Sequence, residues 1–137
     1  MKDKKTKFNE LKDEIWETYM FLTNCMRSSS GRFNAKAAKY DPGKVLEVYT
    51  RAANCLLEFL SDLYLYEEDM TQLSFPVKEV LEIVIDDMSR KTQDLNYKVK
   101  NDLDAVKQSS AYIIVIDRLL KIRNLVLECI ALEEESK

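Results

Sequence analysis

Residues 110–132 read SAYIIVIDRLLKIRNLVLECIAL, and the way this stretch distributes its side chains decides the fold. At about 100° per residue, Asp117, Lys121, Asn124 and Glu128 fall in one narrow stripe. Tyr112, Val115, Leu119, Ile122, Val126 and Ile130 occupy the opposite side, and Ile114, Ile116, Leu120, Leu125 and Leu127 fill the flanks. Apolar surface around roughly three-quarters of the circumference marks a helix set among several neighbours. Arg123 alone breaks the pattern by pointing into the apolar side. A hydroxyl or carboxylate partner inside the bundle would make it structural; an opening to solvent or to another subunit would make it functional.

The rest of the chain supplies those neighbours. Its 137 residues are enough for one domain with a core that needs no staples. Two glycines and two prolines, with 46% hydrophobic and 33% charged residues, leave little room for hairpins, while apolar spacings of three and four recur throughout. The expected fold is an all-α antiparallel four-helix bundle, with helices near 7–26, 42–70, 76–107 and 110–132. Within the first helix, Phe8, Leu11, Ile15, Leu22 and Cys25 make a core face, and Trp16 and Met20 sit four apart at its edge. Asp41-Pro42 is a start signal for the second, an aspartate cap followed by proline in the first helical position.

That second helix alternates steps of four and three through Val45, Tyr49, Ala52, Leu56, Phe59, Leu63, Tyr66 and Met70. A further row, Leu46, Ala53, Leu57, Leu60 and Tyr64, widens its apolar face, and the seven-residue repeat favours shallow crossing angles. Pro76 opens the third helix, whose buried face runs through Val77, Leu81, Val84, Met88, Leu95, Val99, Leu103 and Val106. Gln108-Ser109-Ser110 is the expected turn into the fourth, and residues 133–137 are expected to fray. Ser28-Ser29-Ser30-Gly31 holds a helix poorly, so residues 27–41 read as a loop.

Function is narrowed mainly by exclusion. The sequence has no histidine, which removes histidine-based nucleophilic triads and imidazole metal sites; its two glycines build no phosphate loop. Cys25, Cys55 and Cys129 are too far apart in sequence for a cysteine zinc site. They read as small buried hydrophobes in a reducing compartment, with the cytoplasm as the expected location. No run of residues is apolar enough to span a bilayer, and the basic start MKDKKTKFNELK has no apolar stretch behind it, so neither a membrane anchor nor a secretory signal is expected. No cofactor, metal or catalytic residue is expected, and the chain reads as non-enzymatic.

Two binding readings remain. The surplus of apolar side chains favours a protein–protein interaction module of adapter or inhibitor type that also self-associates as a homodimer, with Trp16, Met20, Tyr64 and Leu65 as anchors. The alternative is a small nucleic-acid-binding subunit. Residues 27–44 hold Arg27, Arg32, Lys36, Lys39 and Lys44 against only Asp41, with Phe33 and Tyr40 interleaved for stacking. The net charge of −3 argues against a general nucleic-acid-coating role. Arg123-Asn124-Leu125-Val126-Leu127-Glu128 resembles the Arg-Asn-x-x-x-His motif of HEPN helical ribonucleases, with Glu128 where that family has histidine. The resemblance covers six residues of one helix, and it implies a catalytically inactive, RNA- or nucleotide-associated relative in which Arg123 contacts the ligand.

Overall fold

The structure, a computed structural model, describes residues 3–33, 41–98 and 102–136, with the backbone alone for 30–33. Within those residues the chain is all-α. Helix α1 (Lys4–Phe33) begins at Asp3, whose Oδ1 accepts the Thr6 N–H at 2.7 Å. Helix α2 (Pro42–Leu65) begins as Asp41-Pro42 predicts: Asp41 Oδ1 accepts the Gly43 N–H at 2.9 Å, and proline places no orphan donor in the first turn. A 3₁₀ turn (Met70–Leu73), capped by Asp69, leads into α3. Helix α3 is continuous through a helical turn (Ser74–Pro76), a π-helical segment (Val77–Glu82) and a regular α-helix (Ile83–Asn96). Helix α4 (Leu103–Glu135) completes the chain.

Polar contacts between the helices give their directions. Lys4 reaches Glu133 at 2.6 Å, Lys7 reaches Glu128 at 2.5 Å and Lys121 reaches Glu14 at 3.2 Å, so α1 and α4 run antiparallel. Thr50 Oγ1 donates to Met26 Sδ at 3.3 Å, which joins the start of α2 to the end of α1. Arg51 pairs with Asp87, and Cys55 Sγ–H donates to the Val80 carbonyl at 3.8 Å, so α3 descends beside α2. Helix α4 packs against all three others.

The core follows the expected stripes. Phe8, Leu11, Ile15 and Leu22 of α1 are buried with Val45, Tyr49, Ala52, Leu56, Phe59 and Leu63 of α2. Val77, Leu81 and Met88 of α3 meet Tyr112, Val115, Leu119, Ile122 and Val126 of α4 in the same core. Cys55 and Cys129 are buried free thiols, and burial pushes them up to about 12 and about 11 respectively. Cys25 is half-buried. No helix among the described residues is long and apolar enough to cross a membrane.

Several boundaries differ from the sequence reading, each for a tertiary reason. Helix α1 does not stop at residue 26 but continues through the serine run to Phe33. Ser29 is buried and lines one cavity with Val45, Tyr49 and Ala111, and burial between helices outweighs the weak helix propensity of serine and glycine. Of the loop expected at 27–41, residues 27–33 are helical, and residues 34–40 lie outside the described residues. Helix α2 ends at Leu65, and Met70, expected at its end, is buried in the 3₁₀ turn.

The break between the third and fourth helices falls after Asn96, not at Gln108-Ser109-Ser110. Asp102 caps α4, its Oδ1 accepting the Ala105 N–H at 3.3 Å, and Ser109 is a buried residue inside the helix. Leu103 accordingly leaves the core, and Val99 lies outside the described residues. The C-terminus does not fray at 133: α4 runs to Glu135, and Glu133 is held by Lys4, Met70 and Ser136.

A candidate interaction face on α1 and α2

The two flanks of α1 have different neighbours. Lys7 and Glu14 pair with α4, and Arg118 of α4 lies 4.2 Å over the Phe21 ring, so that flank faces α4. Trp16 lies about 200° round the helix from Glu14, on the flank toward α2. Met20 and Thr23 follow it at steps of four and three. On α2, the Cys55 contact to Val80 marks the α3 flank, and Leu57, two residues on, faces the α1 flank. Leu46, Thr50, Asn54, Leu57, Ser61 and Tyr64 continue that edge at steps of three and four.

By helical geometry these residues line the outward sides of α1 and α2, the two helices being joined by the Thr50–Met26 contact. Trp16 and Leu57 are each 42% exposed, Tyr64 51% and Met20 55%. Trp16 stands edge-on to the half-buried Tyr19, with ring centroids 6.0 Å apart and planes at 89°, which limits its rotation. The six positions on the α2 edge contain no charge, in a chain that is 33% charged. Charge depletion around large exposed apolar side chains distinguishes the core of an interface from ordinary surface.

Of the anchors read from the sequence, Trp16, Met20 and Tyr64 lie on these outward sides. Leu65, 72% exposed, ends α2 on its side away from the core. Leu57 is on the outward side of α2 although its spacing reads as a second core row. Its signal was the absence of charge at Leu46, Thr50, Asn54 and Ser61, not its own hydrophobicity.

The basic candidates are not assembled into a site. Arg27 is exposed on α1, and Lys44 lies 3.7 Å from Asp104. The side chain of Arg32, and all of Lys36 and Lys39, lie outside the described residues. Arg123, on α4, is level with residues near Glu14 of α1, about 20 Å along the bundle from Arg27. Within the HEPN-like hexapeptide, Glu128 is engaged by Lys7 at 2.5 Å, and it projects about 140° round the helix from Arg123. No group of His, Cys, Asp or Glu side chains among the described residues is arranged to hold a metal ion. Comparisons with protein-family models, with curated proteins and with solved structures returned no match.

Proposed function

We propose that this protein is a helical interaction module that associates with a second copy of itself through the α1–α2 face. The observation that carries the reading is the uncharged edge of α2, with Leu57 and Tyr64 exposed along it, beside the exposed Trp16 and Met20 of α1. The ends of the α1 side carry opposite charges. Asp13 and Arg27 lie seven residues to either side of Met20 on the same face, and neither has an ion-pair partner among the described residues. A two-fold axis near Met20 would bring Arg27 of each copy opposite Asp13 of the other, the self-complementarity that a two-fold interface requires.

Sedimentation of the purified chain, followed with Trp16 fluorescence, tests this. A dimer at high micromolar concentration is expected, with a blue shift of emission on association. Met20→Glu should yield a monomer, since it buries two like charges near the axis. Asp13→Arg should weaken the dimer, and adding Arg27→Asp should restore it. A monomer at every concentration, with unchanged emission, rules the reading out.

A further inference from the structure

A cavity of about 250 Å³ opens where the later turns of α1, the start of α2 and the early turns of α4 meet. Four of its lining residues, Ser28, Ser29, Ser110 and Ala111, are small, and facing rows of small side chains leave space that larger ones would fill. Ser29 and Ala111 are buried, as are Val45 and Tyr49 on the α2 wall, and these four make the floor. Ser28, Ser110 and Lys107 are exposed and stand at the rim, with the half-buried Cys25 between.

The polar groups of this cavity suit an anion. Lys107 brings a positive charge and the serines bring hydroxyl donors, and no carboxylate lines the cavity among the described residues, in a chain with 24 acidic residues. Asp104, one turn before Lys107, is engaged by the Asp41 N–H at 2.5 Å and by Lys44 at 3.7 Å. Burial pushes the Cys25 thiol up, against a Tyr49 hydrogen bond and the charge of Arg118. The thiol therefore stays neutral at neutral pH and does not repel an anion. Ser29 is 8% exposed, and its hydroxyl has no hydrogen-bond partner among the described residues. A buried hydroxyl left in this way is costly until something bonds it.

We propose that this cavity binds a small carboxylate with a short apolar body. The Lys107 ammonium and the Ser29 hydroxyl meet the carboxylate, and Val45 and Ala111 meet the carbons. By volume the cavity holds about eight waters, so it fits a ligand of about that many heavy atoms and is too small for larger organic molecules. It shares no residue with the outward sides of α1 and α2, so this binding stands or falls independently of self-association.

The test uses the full chain with hexanoate and with hexanamide, its neutral isostere, and reads the rate at which a thiol reagent modifies Cys25. Hexanoate should protect Cys25 in a saturable way, with Kd of about 1 mM or tighter. Hexanamide should protect about tenfold more weakly. Ser29→Ala, which keeps a good helix former at this position, should weaken hexanoate about threefold. Lys107→Met should weaken it about fivefold. Ala111→Leu fills the space and should abolish protection. Should Ala111→Leu fail to fold, the contrast between hexanoate and hexanamide on the unaltered chain decides. The proposal is overturned by the absence of saturable protection, by equal protection from hexanoate and hexanamide, or by full protection in a folded Ala111→Leu chain.

Discussion

Glu133 and Met70 tie the end of the last helix to the link between the second and third: Glu133 Oε1 accepts the Met70 backbone N–H at 3.0 Å. Lys4 holds the other carboxylate oxygen at 2.6 Å, so three separate parts of the chain meet on one buried side chain. These hydrogen bonds hold the Glu133 carboxyl below its ordinary value, against the opposing effect of burial. A carboxylate held low in the folded state contributes stability above its ordinary value, and that contribution is lost as pH falls through the lowered one. The wild-type chain should therefore lose stability faster than Glu133→Gln as pH drops below about 4.5, measured by urea unfolding across that range. Glu133→Ala, which strands the Met70 N–H, should cost about 1–3 kcal/mol at neutral pH.

Thr18 gives the opposite sign. It is fully buried and its hydroxyl has no hydrogen-bond partner, whereas Thr23 and Thr92 donate to the carbonyls four residues back at 2.6 and 2.8 Å. Thr18→Val keeps the shape and removes the stranded group, so it should stabilise the fold by about 1 kcal/mol in chemical denaturation.

Asp87 is the centre of a charge cluster on the α2–α3 flank. It pairs with Arg51, with Lys91 at 3.1 Å and with Arg90 at 3.5 Å, and the Arg51 hydrogen bond holds its carboxyl below the usual range. Arg51 is partly exposed and Arg90 largely so, which keeps the contribution small. Asp87→Asn should cost about 1 kcal/mol at low salt, and the difference from wild type should shrink in concentrated salt as screening removes the attraction.

The cysteines should label in a fixed order. Thiolate is the reactive form, and Cys55 and Cys129 are both buried and held far from ionising at neutral pH. Mass spectrometry of the native chain treated with a thiol reagent at pH near 8 should find Cys25 modified first. All three should react at similar rates in denaturant.

Much of this molecule was determined by the sequence alone. Periodicity placed the core residues of α1, α2 and the 110–132 stretch correctly, because a buried helical face imposes spacing locally, whatever it packs against. The Asp41-Pro42 start was equally local, since an aspartate cap acts on its own next two residues. The absence of histidine, which leaves no imidazole in these 137 residues, was likewise legible without reference to any fold. Other features depended on distant contacts. The serine run is helical where Ser29 is buried, lining one cavity with residues of α2 and α4, and α4 begins at Asp102 because that carboxylate caps it while the serines at 109 and 110 are carried into the helix interior. Spacing could show that Trp16, Leu57 and Arg123 lie off the core stripes, but not what faces them. Only the tertiary arrangement decided that α4 does not cover the α1–α2 edge, and that no described carboxylate reaches Arg123. In residues 110–132, periodicity showed an apolar girth of three-quarters, and the packing of three neighbours decided that Ile113, Ile114 and Leu127 are the positions left exposed.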